Sequence, residues 1–222
     1  MDTKAWGVIA AIAIIVAAAY WFMQPEQWPV RNDPPQRHVI VLFGDEYALG
    51  SGSSNPATRG TGPLLENRVG RPVVVMGRAD DTTSMGLDRL ASVLALRPGM
   101  VVVSLGMADF RRKLPREGSF ENLRRLVERL HEAGALVVLV GTEPDAMGYS
   151  YKADFRQLAR STGSLLVPDA LRGILTNNDL RSTPQLPNDR GYEVFAERIG
   201  DVIEPAVRRM PPVPGAPTTL AP

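Results

Sequence analysis

The chain contains no cysteine. That excludes disulfides, thiol catalysis and thiolate metal sites, and it fits either side of a bacterial inner membrane. Only two histidines are present, His38 and His131, so any chemistry that needs an imidazole base has two places to find one. Neither sign of charge dominates: 25 Lys and Arg stand against 24 Asp and Glu, a net charge of +1. No global field draws the chain to a polyanion, and no nucleic-acid partner is expected. No internal repeat is visible. What remains is 222 residues, room for one α/β domain with appendages.

The longest apolar run is at the N-terminus. Residues 5–23 carry no charge, and at 1.5 Å per helical residue they reach about 28 Å, the hydrocarbon thickness of a bilayer. Trp6 stands at one end and Tyr20, Trp21, Phe22 and Trp28 at or beyond the other, where amphipathic rings favour the headgroup level. A retained transmembrane anchor over 1–23 is expected. The competing reading is a cleaved signal peptide at Ala17, Ala18 and Ala19, against which stand the missing polar segment and the aromatics that follow at once. Lys4 before the run and Arg31 and Arg37 after it nearly balance, so the short head decides: a signal anchor with the domain outside the cytoplasm. The expected place is a bacterial inner membrane, single-pass, with a periplasmic domain.

Residues 24–37 hold four prolines among charges and read as a semi-rigid linker. Residues 210–222 (MPPVPGAPTTLAP) read as an extended Pro-rich tail. Between them, over 38–209, five short Val-rich runs recur at 38–43, 72–76, 100–105, 135–140 and 165–167, the pattern of strands buried on both faces. Helical spacing fills the gaps: Leu87, Leu90 and Leu94; Leu123, Leu126, Val127 and Leu130, with Ser119 placed as a cap; and Tyr192, Phe195, Ala196, Ile199, Val202 and Ile203, ending near Pro205. The fold class is therefore α/β, a flavodoxin-like, doubly wound, parallel five-stranded sheet behind an N-terminal transmembrane helix. In such sheets chemistry sits in the loops at the carboxyl ends of the strands.

Those loops carry a recognisable set of blocks. Gly44-Asp45-Glu46-Tyr47 resembles the GDSL block of SGNH/GDSL ester hydrolases, in particular the arylesterase and lysophospholipase/thioesterase branch. Asp80-Asp81-Thr82-Thr83, running on to Gly86-Leu87-Asp88-Arg89-Leu90, resembles that branch's S-G-D-T-T segment and its helix. Gly106-Met107-Ala108-Asp109 with Arg112 and Pro115 resembles G-x-N-D-x-x-R-G-x-P, and Pro144, Gly148, Tyr151 and Phe155 fit the loop and helix beyond. Thr183-Pro184-Gln185-Leu186-Pro187-Asn188, then Gly191-Tyr192, stands where the family writes D-x-x-H-P-N and later G-Y. The likeness runs in order through roughly 38–205, and it implies the SGNH hydrolase fold.

The resemblance also assigns roles, and each has lost its residue. The nucleophilic serine corresponds to Glu46, the oxyanion-hole glycine to Asp80, the oxyanion-hole asparagine to Ala108, the orienting aspartate to Thr183 and the base histidine to Leu186. A carboxylate is a poor acyl nucleophile and sets negative charge where the oxyanion must form; Ala108 donates nothing; Leu186 cannot move a proton. His38 opens the first strand, roughly 20 Å from its far end at 3.3 Å per residue, and His131 precedes the fourth, so both belong to the wrong edge, as surface or strand-edge residues. Ser51, Ser53 and Ser54 read as turn residues without a base, and Ser104 as a satisfied polar side chain in a strand.

One positive arrangement is conceivable: Glu46, Asp80 and Asp109, with Asp81, gathered around a Ca²⁺ or Mg²⁺ ion. The ordinary alternative is structural hydrogen bonding by Asp45, Asp81 and Asp109, with Glu46 turned to solvent or to Arg78 or Arg112. No cofactor is implied. The expected function is a catalytically inactive, membrane-anchored accessory or scaffolding subunit, whose partners are the bilayer, through residues 5–23, and subunits of a membrane or envelope protein complex. Three rivals stand beside it: a binder of an acyl, lipid or glycan ligand in the old crevice, disfavoured if Tyr47, Met107 or Leu186 plugs it; an esterase with a non-standard site; and a carboxylate-pair glycosidase using Glu46 and Asp80.

Overall fold

A computed structural model describes residues 28–142 and 151–215. The apolar run 5–23, Pro144, Gly148 and residues 216–222 lie outside them, and no helix among the described residues is long and apolar enough to cross a membrane.

Five strands form the central sheet: β1 (Ile40–Gly44), β2 (Val73–Gly77), β3 (Met100–Ser104), β4 (Leu136–Val140) and β5 (Leu165–Val167). They pair in the order β2-β1-β3-β4-β5, all parallel, as a doubly wound sheet requires. Period-two alternation divides the apolar runs between two cores. Ile40, Leu42, Met100, Val102, Leu136 and Val138 face one side, and Val41, Phe43, Val101, Val103, Val137 and Leu139 the other. Each fully buried side chain of this kind contributes about 1.5–3 kcal/mol, and β1, β3 and β4 are buried on both faces as expected; β2 is not, being an edge strand with Val74 and Val75 exposed.

Nine helices occur among the described residues: α1 (Glu46–Leu49), α2 (Pro56–Arg59), α3 (Thr61–Val69), α4 (Thr83–Asp88), α5 (Leu90–Ala95), α6 (Met107–Arg111), α7 (Arg116–Glu132), α8 (Lys152–Thr162) and α9 (Asp189–Val207). Leu65 of α3 and Tyr192, Phe195, Ile199 and Ile203 of α9 pack on the first face. Leu90 and Val93 of α5, Leu123, Leu126, Val127 and Leu130 of α7 and Phe155 and Leu158 of α8 pack on the second. A two-stranded antiparallel hairpin, β6 (Arg181–Thr183) with β7 (Leu186–Pro187), precedes α9.

Several expectations are corrected. The helix read through Leu87 and Leu94 is two pieces that break at Arg89, whose side chain is drawn beneath the sheet end. Ser119 does not cap α7: Pro115 stands at its start, and Ser119 lies inside, its hydroxyl donating to the Pro115 carbonyl at 3.2 Å. Pro205 lies inside the last turn of α9, which ends two residues on at Val207, close to where the sequence places its end. Of the expected semi-rigid linker 24–37, the described residues from Trp28 on are docked against the domain. The Trp28 indole donates to the Ser164 carbonyl at 2.8 Å, the Arg31 amide to Gly163 at 2.8 Å, and the Asn32 amide to the carbonyls of His131 and Ala135, each at 2.9 Å. This strap crosses the edge where β4 and β5 begin, opposite the end that carries the blocks.

His131 is buried, not a surface residue. Its Nδ1 lies 3.2 Å from the Ala135 carbonyl, which can only accept, so Nδ1 carries the proton and Nε2, 3.2 Å from the Ser164 hydroxyl, is the acceptor. Burial pulls its pKa down to about 4, opposed by that backbone bond and reinforced by Arg31. Ser104 is buried with its hydroxyl unpartnered, contrary to the satisfied side chain expected.

Candidate functional site

Three sequence blocks converge where β1, β2 and β3 end. Asp45 caps α1, its Oδ1 accepting from the Tyr47 amide at 3.0 Å, which turns the chain sharply out of β1 and sets Glu46 in the first turn. Asp80, in the loop after β2, has φ of +61°, a left-handed backbone that suits the glycine the resemblance puts here. α6 follows β3 and projects Arg111 back towards both.

Glu46 is buried, and its carboxylate is held from two sides. Oε2 accepts from the backbone N–H of Asp80 at 3.0 Å, and Oε1 is ion-paired with Nη1 of Arg111. The same guanidinium reaches the Asp80 carboxylate through Nη2 at 2.8 Å. Burial works against the charge on Arg111, but the hydrogen bond and attraction of Glu46, then Asp80, outweigh it and raise its pKa above the usual value. Arg112 donates to the Asp80 carbonyl at 3.0 Å, and Arg78 pairs with Asp81 at 3.3 Å. The arginine that meets Glu46 is therefore neither Arg78 nor Arg112 but Arg111, the neighbour of Arg112 in the basic run 111–113, a position that only the helical phase of α6 could have singled out.

The Glu46, Asp80 and Asp109 cation arrangement does not assemble. A guanidinium fills the space between the first two, and Asp109 faces elsewhere, accepting from the Thr83 amide at 2.8 Å and hydroxyl at 2.7 Å. Among the described residues no group of three or more acidic or histidine side chains is placed to hold a metal ion. Asp81 is buried and ion-paired with Arg89, which also donates to the carbonyls of Met76 and Gly44, each at 2.8 Å, and stacks 4.3 Å from the Phe43 ring centroid. Asp45 and Asp81 thus brace the sheet end. Burial, then the charge on Glu46, pushes the Asp45 carboxyl well above the usual carboxylate range.

Leu186 sits on the hairpin, half-buried, and Thr183 is exposed. The hairpin is tied to α1 by the Tyr47 hydroxyl, which donates to the Gln185 carbonyl at 2.8 Å. It is tied to the loop after α1 at Gly52, where φ is +93° and an added Cβ would stand 2.8 Å from that of Leu186. Tyr47 and Met107 are themselves buried and belong to the core on the first face of the sheet. His38 precedes β1 and His131 lies at the far edge of the sheet, so neither approaches Glu46.

A parallel sheet of this order, with its GDSL-like, D-T-T and G-x-x-D blocks converging at one switch point, defines an SGNH-hydrolase fold. The chain belongs to the GDSL-like lipase/acylhydrolase family, whose model matches residues 42–194. Among solved structures it is similar to TesA, with a TM-score of 0.70 and 23% identity over 76% of this chain and 99% of that one. It is also similar to the psychrotrophic esterase EstA from Pseudoalteromonas sp., with a TM-score of 0.67 and 22% identity over 77% and 99%. The SGNH-hydrolase family esterase AlinE4 gives a TM-score of 0.58 and 26% identity over 65% and 82%. No curated protein is matched.

Proposed function

We propose that this chain is a non-hydrolysing member of its family, acting as a membrane-tethered accessory or scaffolding subunit of a membrane or envelope complex. One observation carries the reading. The Asp80 N–H, which the family resemblance makes an oxyanion donor, is occupied by the chain's own Glu46 carboxylate, and Arg111 locks that carboxylate in place. An ester carbonyl entering here would have to displace a charged, hydrogen-bonded group and would find neither a nucleophile nor a base. Buried Tyr47 and Met107 weigh against a ligand in the crevice.

The scaffolding half rests on the expected tether, residues 5–23, which would join the domain on the side of the Trp28 strap, opposite the Glu46 end. The test is hydrolysis of a p-nitrophenyl ester panel, C2 to C12, by the purified full chain. No turnover above the uncatalysed rate is expected; turnover that disappears in Glu46→Ala would sink the proposal. Purification from gently solubilised membranes should then bring down a stoichiometric companion.

A further inference from the structure

The strand-entry end of the sheet carries a row of arginines. In a parallel sheet the residues ahead of every strand lie at one end, and Arg71, Arg37 and Arg97 stand just before β2, β1 and β3, which are neighbours in that order. Arg31, on the strap, continues the row towards β5, its amide bonded to the Gly163 carbonyl. At about 4.8 Å between strands the row spans roughly 20 Å.

None of the four meets a carboxylate among the described residues. Arg37 donates to the Ala133 carbonyl at 2.9 Å, and Arg71 to those of Pro211 at 2.6 Å and Met210 at 3.1 Å, neutral partners that leave each cation's charge in place. Arg31 acts on buried His131 as a positive charge that no acid offsets. Asp33, the acid of the strap, is taken by Arg209, which leaves Glu66, on the Val73 amide, and exposed Glu132 against four arginines. At the Glu46 end, by contrast, Arg78, Arg111, Arg116 and Lys152 each pair with an aspartate or glutamate.

We propose that this arginine row lies on an anionic lipid surface, that of the bilayer expected to hold residues 5–23; for its geometry the inference rests on the tethered reading above. Chain length favours lipid over a soluble partner. Five residue steps separate Met23 from docked Trp28, roughly 17 Å at full extension, of which the headgroup layer takes about 6 Å. The row is thereby held within about one Debye length, roughly 10 Å, of the headgroups. Each arginine so placed strengthens the contact about fivefold.

The absence of cysteine permits single labels on the full-length chain, reconstituted in lipid nanodiscs. A fluorophore on Leu96→Cys, an exposed position beside Arg97, should be quenched by nitroxide-headgroup lipid in discs rich in phosphatidylglycerol and far less in phosphatidylcholine. On Leu114→Cys, similarly exposed at the Glu46 end, it should stay bright in both. Raising salt from about 0.1 M to about 1 M should release the contact. Arg31→Gln with Arg97→Gln, two exposed side chains, should weaken it about 25-fold, and Arg112→Gln with Lys113→Gln, at the opposite end, should leave it unchanged. Flotation with phosphatidylcholine vesicles reads the tether separately. A chain that fails to float has no anchor, and salt-sensitive binding to phosphatidylglycerol vesicles, lost with Arg31 and Arg97, then supports the inference by itself. A Leu96→Cys label indifferent to lipid charge, or a contact unmoved by salt and by the arginine pair, overturns it and leaves the row to an acidic protein.

Discussion

The Glu46 carboxylate accepts from the Asp80 backbone N–H at 3.0 Å, so the side chain that replaces a nucleophile also fills a donor meant for an oxyanion. Removing it is therefore not enough to create an esterase. Glu46→Ser should clear the donor and still leave hydrolysis of p-nitrophenyl acetate at the blank rate, because Leu186 takes no proton and Ala108 offers no hydrogen bond. Adding Ala108→Asn, Thr183→Asp and Leu186→His to it should give turnover about 10²-fold or more above Glu46→Ser alone. A single Glu46→Ser variant with comparable turnover would show that a base exists elsewhere.

Arg111 should matter for stability more than its partly exposed place suggests. It is the cation that meets Glu46, whose side chain is 6% exposed against 21% for Arg111. Arg111→Ala strands a buried carboxylate and should cost about 2 kcal/mol in urea unfolding, below the range for a fully buried pair because water reaches Arg111. Glu46→Ala combined with Arg111→Ala should cost less than the two single losses together.

The sheet was legible because its strands are continuous apolar runs: 38–43 against β1, 72–76 against β2 and 165–167 against β5 differ by two residues at most. α2 and α3 were not, since Gly60, Gly62 and Pro63 interrupt their pattern and Leu65 is the single fully buried hydrophobic side chain of α3. The β6–β7 hairpin is too short to show alternation. At the site, the converging loops followed from the motif order, but the Glu46–Arg111 pair depends on the turn of α6. Burial of His131 depends on a strap that composition alone makes look like a spacer.

Asp80 tests whether its loop keeps a glycine's backbone. With φ of +61°, any side chain with a Cβ is strained there, by about 1 kcal/mol. Asp80→Ala should lose both the exposed contact to Arg111 and whatever local hydrogen bonding makes aspartate tolerable. Asp80→Gly loses the contact but relieves the strain. The glycine variant should therefore be more stable than the alanine variant by about 1 kcal/mol in chemical denaturation. Equal stabilities would mean that the left-handed conformation is not maintained.

His131 should make the domain lose stability on mild acidification. Above pH 6.5 the imidazole is neutral in the folded and unfolded chain alike. Between 6.5 and about 4 the unfolded chain takes up a proton that the buried ring refuses, so each step down favours unfolding; below about 4 both states are protonated and the effect ends. At about 1.36 kcal/mol per pH unit the window is worth on the order of 3 kcal/mol. Arg31 is the charged group that opposes a second positive charge there, and Ser164 and Ala135 are the neutral groups that hold the ring. His131→Gln, which keeps a donor and an acceptor but cannot titrate, should lower stability at pH 7.5 and flatten its dependence between pH 6.5 and 4. Urea melts across that range compare the two slopes, and a wild type with the same slope as the variant would show that the ring is open to water.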